Sequence, residues 1–152
     1  MKNAVFVFSE NQLGYKFSDT HPFNQKRLTL TVDLLKEVNA LSLSEIVSPR
    51  IATDEELLLV HDANYIEMVK EASKIDADST KYESYGIGTE DTPIFPDMHE
   101  ASASLVGGTL TAVDYVMEGK STHAVNLGGG LHHGFKGRAS GFCIYNDKQG
   151  YY

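Results

Sequence analysis

Residues 4–9, AVFVFS, form a short run without a charged side chain, in which β-branched and aromatic residues predominate. Such a run is typical of a strand that is buried on both faces, as the strands of parallel sheets are. This segment therefore predicts an α/β architecture. The chain has 152 residues, which is long enough for one domain with a single core.

Helical periodicity begins after the next loop. Leu28, Val32, Leu35 and Val38 recur at spacings of three or four residues. This spacing places all four side chains on one face, so it predicts an amphipathic helix that begins after Pro22.

Two short helices and a second strand are predicted next. Residues 44–49, SEIVSP, are predicted to form a short strand that the proline ends. Thr53 and Glu56 have the spacing of a capping box, in which each side chain accepts a hydrogen bond from a free backbone amide at a helix start. Asp62 is a second candidate cap, so a further helix is expected after it.

A long polar connection precedes the last helix. Residues 75–96 contain several glycines and prolines and are predicted to be a loop, and long loops in compact domains are often functional. A long amphipathic helix is predicted between about His99 and Gly119. Gly107 and Gly108 fall in its middle, where each costs about 1 kcal/mol relative to alanine. This cost favours close approach of another backbone over simple tolerance.

A third strand is predicted at residues 122–127, THAVNL, and three glycines and two histidines follow its carboxyl end. Ligands in open α/β sheets bind outside the carboxyl ends of the strands. His132 and His133 are therefore predicted to lie at the edge of the sheet where a site would form.

Charge and composition exclude several classes of partner. The formal net charge is −8 and the isoelectric point is near 5.1, with no basic run, which argues against nucleic acid. No apolar run approaches the length of a membrane span, and the first ten residues lack the features of a secretory signal. A cytoplasmic location is therefore predicted, and the single cysteine, Cys143, fits a reducing compartment.

Residues 128–134, GGGLHHG, allow several interpretations. A phosphate loop is disfavoured because His133 stands where the G-x-G-x-x-G pattern requires glycine. A metal site formed by the two histidines alone is disfavoured because adjacent residues of an extended segment point in opposite directions. A catalytic pair is chemically sensible, since imidazole takes up and returns a proton near neutral pH. An ordinary turn with two hydrogen-bonded histidines is also compatible with the spacing.

The longer string that contains this pair is more specific. Residues 128–147 are GGGLHHGFKGRASGFCIYND. This string resembles the paired G-G-x-H-H and A-S-G-F-C-x-x-N-D motifs of the zinc-dependent histone deacetylase family, in its bacterial branch named for acetoin utilization. The resemblance extends through residues 21–35, 55–73 and 85–101, so it covers nearly everything between residues 4 and 147.

The resemblance implies a fold and its extent. Family members have an arginase/deacetylase-like three-layer α/β fold with a mainly parallel sheet, and they are more than twice as long as this chain. Residues 1–147 are expected to form the amino-terminal part of that domain, so the fold would be incomplete in this chain. Residues 148–152 are expected to be a divergent tail.

The resemblance also implies catalytic and tunnel residues. His133 matches the principal general base, which later acts as general acid, and His132 matches a hydrogen-bonded partner that tunes the site. The reaction is hydrolysis of acetyl-lysine, which needs an activated water, a polarised carbonyl and a proton for the departing amine. Gly141 and Phe142 match positions that line the narrow tunnel for the acetyl-lysine stem. Cys143 matches a position next to the inner cavity and has no nucleophilic role.

Two charged residues match family contacts to substrate and product. Asp91 matches a rim aspartate that accepts hydrogen bonds from substrate backbone amides. Arg27 matches an arginine beneath the site that is associated with acetate release. The ordinary alternatives are core packing for Phe142, a solvated charge for Asp91 and an exposed helix arginine for Arg27. The other four histidines are interpreted as local hydrogen-bonding residues: His21, His61, His99 and His123.

The family's zinc ligands lie beyond the residue that matches Asp147. We therefore predict Zn²⁺ in the intact protein, but neither bound zinc nor activity in this chain alone. The expected partners are a protein substrate that carries acetyl-lysine, with acetyl-CoA synthetase suggested by the resemblance, and further copies of the chain through exposed sheet edges. The alternative is a non-catalytic binding or assembly fragment. A small nucleotide-binding α/β domain is disfavoured by the failed phosphate-loop spacing.

Overall fold

A parallel three-stranded sheet organises the part of the chain that the computed structural model describes, residues 2–74 and 79–149. Strand β1 (Lys2–Val7) lies in the middle, between β2 (Ile46–Val47) and β3 (Ser121–Val125), and both pairings are parallel. The predicted α/β architecture is therefore confirmed. All three predicted strands are found, although β2 has only two residues.

Strand β1 is buried on both faces because its side chains alternate between them. Val5 and Val7 pack with Val47 on one face, where the helix that precedes β3 also contributes side chains. Phe6 packs on the opposite face with Val32 of the helix that follows β1. The uncharged run at the start of the chain thus marks the central strand, as predicted.

Helix α1 (Lys26–Glu37) follows the predicted apolar stripe for most of its length. Leu28 and Val32 are buried, and Leu35 is half-buried against the sheet. Val38 follows the last helical residue and is 60% exposed, so the prediction was wrong for this position. The helix ends before the stripe completes its last turn, which leaves Val38 outside the packed face.

Two short helices follow β2, as the capping signals predicted. Helix α2 (Asp54–Leu57) begins with the capping box: Thr53 Oγ1 accepts from Glu56 N at 3.3 Å, and the Glu56 carboxylate accepts from Thr53 N at 2.8 Å. Helix α3 (Ala63–Ala72) begins after Asp62, whose backbone is extended as a cap requires. Its side chain makes no capping hydrogen bond, so the prediction of a side-chain cap there was wrong.

The connection at residues 75–96 is more ordered than a simple loop. A 3-10 helix (Ser79–Tyr85) occupies part of it, and Ile87 and Phe95 are buried in the main core. The prediction of an irregular connection was therefore wrong for the helical part. Burial of apolar side chains holds this polar stretch against the rest of the molecule.

Some predicted features lie outside the described residues. These are residue 1 of the predicted domain, residues 75–78 of the connection and residues 150–152 of the predicted tail. The boundary between domain and tail therefore stays a prediction. Two further 3-10 helices lie within the described residues, at Glu10–Gly14 and Leu43–Glu45.

Helix α4 (Met98–Met117) matches the predicted long helix, and its surroundings explain a glycine in its middle. A methyl group added at Gly107 would lie 1.9 Å from the carbonyl oxygen of Arg50, so the backbone before α2 crosses the helix in direct contact. A 3.1 Å hydrogen bond from Ala52 N to Ala103 O holds that crossing. The predicted close approach of another backbone is confirmed at Gly107. It was wrong at Gly108, where an added methyl group would meet the side chains of Gln12 and Asn126.

The main hydrophobic core contains no residue of the sheet. Helices α3 and α4 contribute to it together with the connections before α1, before α4 and after β3. Its largest buried side chains include Tyr15, Tyr65, Ile87, Met98, Leu105, Ile144 and Tyr145. The residues that follow β3 are therefore held by side-chain packing rather than by strand pairing.

The surface retains large apolar side chains. The most exposed of them are Leu30, Leu34, Leu43, Leu59, Met117 and Phe135. Exposed apolar surface favours association with other protein, but self-association stays a prediction. Residues 2–74 and 79–149 contain no helix that is both long and apolar enough to cross a membrane.

The Gly107→Ala substitution tests the crossing of α4. The added methyl group would collide with the Arg50 carbonyl group, and relief of that contact should lower the free energy of unfolding by about 2 kcal/mol. Urea denaturation followed by circular dichroism measures the change. Gly14→Ala is the matched control, because a methyl group there would lie 3.8 Å from Ala101 Cβ, an ordinary contact. Equal stability of the two variants would show that the crossing is not tight.

Candidate functional site

The segment after β3 begins with a glycine loop, residues 128–130, that is supported by a chain of polar side chains. Asn126 accepts a hydrogen bond from Gln12 Nε2 at 3.2 Å and donates one to Thr109 Oγ1 at 2.9 Å. Thr109 in turn donates to Asp147 Oδ2 at 2.6 Å, and the same oxygen accepts from the amide of the last loop glycine at 2.8 Å. The loop is therefore anchored on side chains from α4 and from both ends of the described chain.

One oxygen of this polar chain has no partner. Among the described residues, Asp147 Oδ1 is buried without a hydrogen bond. Asp147 is 1% exposed, so bulk solvent does not reach this oxygen. The sequence placed Asn126 in a predicted strand and Asp147 in a motif, but it did not indicate that both support the glycine loop. That support depends on the contact of each with Thr109.

The histidine pair lies on the connection that follows the loop. The ring centroids of His132 and His133 are 4.0 Å apart with an interplanar angle of 40°, and both residues are exposed. The rings are therefore neighbours, so the expectation that adjacent histidines point in opposite directions was wrong. It assumed an extended strand, and this stretch is not in a regular element. His132 donates its Nδ1–H to Gly130 O at 2.8 Å.

A tight turn brings Gly141 and Phe142 to the pair. Ser140 and Cys143 exchange two backbone hydrogen bonds of 3.2 and 2.9 Å, and the two residues between them have φ values of +53° and +66°. Two positive φ values at the centre are typical of a type I′ turn. A methyl group added at Gly141 would lie 2.8 Å from Cβ and Cγ of His133, so only glycine leaves room for that ring.

Tyr15 holds this turn from the core. Its hydroxyl donates to Phe142 O at 2.6 Å and accepts from Ile144 N at 3.0 Å. Burial raises the pKa of Tyr15 far above its usual value, so the hydroxyl keeps its proton and acts as a donor. Sequence reasoning missed Tyr15 because it lies 127 positions away from the carbonyl group that it binds.

Asp91 and Phe142 line one cleft, which we call the rim cleft. It has a volume of about 760 Å³, and its walls also include His21, Glu90 and Arg138. The ring of His21 meets that of Phe142 edge-on, with centroids 4.8 Å apart. The structure thus brings together the predicted rim aspartate and the predicted tunnel phenylalanine. The sequence predicted only a local hydrogen-bonding role for His21, and no spacing or motif indicated its contact with Phe142.

The loop that carries Asp91 is fixed on the same segment as the turn. A hydrogen bond of 2.8 Å from Gly88 N to Thr92 O closes the loop. A second, of 2.9 Å, joins Ala139 N to Tyr85 O. The rim cleft is therefore bounded by two connections that are bonded to each other.

Arg27 lies beside the glycine loop. Its Nη1 donates to Leu127 O at 2.9 Å, and its guanidinium group stacks over the ring of Phe23, 5.1 Å from the centroid. Partial burial lowers the pKa of Arg27 because the cation loses some of its hydration. The structure therefore places Arg27 at the carboxyl end of β3, next to the loop but not in the rim cleft.

His61 ties two parts of the connection together. Its Nε2 accepts from Asn146 N at 3.0 Å, and its Nδ1 lies 3.0 Å from Phe135 O and 3.2 Å from Lys136 O. The proton is therefore on Nδ1. Burial lowers the pKa of His61 because the charged form is disfavoured in the core.

The other two histidines make local contacts away from the pair. His99 Nδ1 lies 2.9 Å from the hydroxyl of Tyr145, and His123 Nδ1 lies 3.2 Å from Asn3 O at the opposite end of the sheet. Cys143 is buried, and burial raises the pKa of its thiol, which opposes a nucleophilic role.

Within residues 2–74 and 79–149, no group of three or more His, Cys, Asp or Glu side chains lies close enough together to hold a metal ion. The histidine pair supplies two imidazoles, whereas zinc sites in proteins use three or four protein ligands. The described residues therefore do not fit a complete zinc site.

Comparison with known proteins finds relatives of this arrangement. The histone deacetylase domain family matches residues 21–149. The acetoin utilization protein AcuC of Bacillus subtilis is 58% identical over 147 residues, which cover 97% of this chain and 38% of that protein. AcuC of Staphylococcus aureus is 49% identical over 147 residues with the same coverage. The chain thus spans about 38% of the length of these curated relatives.

Solved structures show the same fold. The crystal structure of a histone deacetylase homologue from Aquifex aeolicus matches with a TM-score of 0.87 and 31% identity, covering 96% of this chain and 39% of that one. A homologue complexed with SAHA matches with the same values. The resemblance noted in the sequence is confirmed, and so is the prediction of a partial arginase/deacetylase-like α/β fold.

Tyr15→Phe tests the support of the turn. The substitution keeps the ring but leaves Ile144 N and Phe142 O without their partner, which should lower the free energy of unfolding by about 1 to 3 kcal/mol. Urea denaturation measures the loss. Tyr115→Phe is the control, because Tyr115 is only half-buried and its ring contacts Lys120. A loss of the same size in both variants would show that the bridging hydroxyl has no special role.

His61 predicts a loss of stability on acidification. Its pKa is lower in the folded chain than in the unfolded chain, where it is about 6.5, so the unfolded chain binds the proton first as the pH falls. The stability that neutral His61 contributes is therefore complete above about pH 6.5 and is lost as the pH falls from there through the folded pKa. Urea denaturation at about pH 7.5 and about pH 5.5 measures this loss.

The matched variants separate His61 from other groups. His61→Gln should lose less stability over this interval than the unsubstituted chain, whereas His123→Gln, at an exposed position, should lose as much. Burial also lowers the pKa of His99, which therefore contributes in the same direction. An unchanged loss in His61→Gln would assign the acid sensitivity to other groups.

Proposed function

Because the chain belongs to the histone deacetylase family, we propose that it forms the amino-terminal part of an acetyl-lysine deacetylase linked to acetoin utilization. The observation that carries the proposal is the placement of His133. Its ring lies 4.0 Å from that of His132 and packs against Gly141, in a turn whose Phe142 reaches the rim cleft. This arrangement places a proton carrier, His133, next to the aromatic wall formed by Phe142 and next to the rim cleft, which together suit the long side chain of acetyl-lysine.

The histidine pair would handle the protons of amide hydrolysis. His133 takes a proton from the attacking water and returns it to the departing lysine amine. His132 donates Nδ1–H to the Gly130 carbonyl group, which leaves its Nε2 free to accept a proton.

The rim cleft would hold the substrate around the modified lysine. The ring of Phe142, backed by His21, provides an apolar wall for the methylene groups of acetyl-lysine. Asp91 is exposed at the rim and accepts hydrogen bonds from backbone amides of the substrate. Phe142 and Asp91 lie on two connections that are hydrogen-bonded to each other. The methylene groups of the acetyl-lysine and the peptide backbone around it are therefore held in a fixed relative position.

Arg27 would act on the acetate product. It is a partly desolvated cation at the end of β3, where one of its donors binds Leu127 O. Such a cation attracts a small carboxylate strongly. Arg27 lies beside the glycine loop rather than in the rim cleft. This position suits a path for the release of acetate that differs from the path by which the acetyl-lysine side chain enters.

Zinc, when bound in the intact protein, would polarise the acetyl carbonyl group and acidify the attacking water. The described residues do not fit a complete zinc site. We assign the zinc ligands to the part of the relatives' length that this chain does not span. Isolated, the chain is proposed to be inactive, and none of the roles above depends on its holding the ion.

Acetylated acetyl-CoA synthetase is the proposed substrate, and the cytoplasm is the proposed location. The names of the relatives, which refer to acetoin utilization, support a role in carbon metabolism. Self-association through the exposed edges of the sheet is a further proposal.

A chimaera tests the proposed function. This chain up to Asp147, followed by the remainder of the Bacillus subtilis relative, should contain zinc and hydrolyse an acetyl-lysine peptide. His133→Ala in the chimaera should lower kcat/KM by about 10²- to 10⁴-fold, since it removes the proton carrier. Release of acetate and zinc content measure both properties.

His123→Ala is the control, because His123 contacts Asn3 at the far end of the sheet and should leave the activity unchanged. A chimaera that is folded and contains zinc but hydrolyses nothing would contradict the proposal and would favour a binding or assembly role. Full activity in His133→Ala would contradict the assignment of the proton carrier.

A further inference from the structure

Arg138 lies in the wall of the rim cleft on a fixed backbone. Its carbonyl group accepts from Phe135 N at 2.8 Å, and the next residue, Ala139, donates to Tyr85 O at 2.9 Å. Its side chain runs over Gly86, where an added methyl group would lie 3.1 Å from Arg138 Cγ. Backbone bonds on both sides thus hold an exposed guanidinium group beside the cleft.

Among the described residues, the guanidinium group of Arg138 has no partner, unlike those of the other two arginines. Arg50 pairs with Glu56 and Asp114 at 2.7 and 3.1 Å, and Arg27 binds Leu127 O. Within residues 2–74 and 79–149, Arg138 makes no ion pair and its side chain makes no hydrogen bond. In a chain with a formal net charge of −8, an arginine without an acidic partner has all its donors available to a ligand.

The cleft contains opposite charges that do not neutralise each other. Glu90 and Asp91 also line it, yet neither forms an ion pair with Arg138. They lie at the tip of the loop that the hydrogen bond between Gly88 and Thr92 closes, whereas Arg138 lies over its base at Gly86. The guanidinium group and the two carboxylates therefore line the same cleft without forming an ion pair.

We propose that Arg138 is a specificity-determining residue that selects substrates with an acidic side chain next to the acetyl-lysine. This inference rests on the proposed function, because it assumes that the rim cleft holds the peptide around that lysine. With Asp91 occupied by backbone amides of the peptide, Glu90 and Arg138 are the other charged groups of the cleft, and Arg138 is the cation that can bind an acidic side chain. Guanidinium and carboxylate groups pair through two parallel hydrogen bonds, which favours aspartate or glutamate over neutral residues.

Two peptides that differ only beside the acetyl-lysine test the assignment. One carries aspartate on both sides and the other carries lysine. Fluorescence anisotropy measures their binding to the 152-residue chain, and kcat/KM is measured with the chimaera described above. The aspartate peptide should be preferred in both assays. Arg138→Gln should lower the preference by about fivefold, and Arg138→Glu should reverse it.

Lys136→Gln is the matched control. Lys136 lies two residues away but pairs with Asp62 at 3.1 Å, so its loss should leave the preference unchanged. A preference that does not change in Arg138→Gln, in binding and in cleavage, overturns the role of Arg138 and leaves the proposed function intact. A chimaera that cleaves neither peptide contradicts the proposed function, and the binding ratio still decides the role of Arg138. Failure of the chain to bind either peptide, with no cleavage by the chimaera, overturns both.

Discussion

The geometry of the site depends on two hydrogen bonds of the Tyr15 hydroxyl. It bridges Phe142 O and Ile144 N, at 2.6 and 3.0 Å, across a turn in which a phenylalanine has a left-handed backbone. Such a conformation persists only where the surroundings compensate its strain. The compensation here comes from the core, because Tyr15 itself packs edge-on against Phe17 and Phe95, with ring centroids 5.4 Å apart in each case.

The rest of the site follows from that turn. Because Phe142 is fixed in the turn, the adjacent Gly141, which has no side chain, leaves room for the ring of His133. The rings of His132 and His133 therefore lie next to each other rather than on opposite sides of the backbone. The loop that carries Asp91 is bonded to the same segment, so the rim cleft forms between two connections. The connection after β3 begins at the sheet, the connection that carries Asp91 begins after α3, and packing in the main core shapes both.

Local patterns predicted most of the elements. The sequence alone indicated the uncharged run at residues 4–9, the capping box at Thr53 and the close approach at Gly107, because each depends on neighbouring residues or on one steric requirement. Failures occurred where a local pattern competed with packing: Val38 falls beyond the end of its helix, and Asp62 starts a helix without capping it through its side chain. The motifs marked His132 and His133, whose catalytic roles stay predictions, but they could not show that the rings are neighbours.

The sequence by itself determined the family, the parallel α/β class and the set of residues that carry the motifs, because these are written in contiguous stretches. Only the tertiary structure decided that Tyr15 and His21 contact Phe142 and that Arg138 lines the same cleft as Asp91. The physical reason is that their contacts join residues far apart in the chain, such as the 127 positions between Tyr15 and Phe142. Contacts of this kind arise from burial of the aromatic core, which no local pattern specifies.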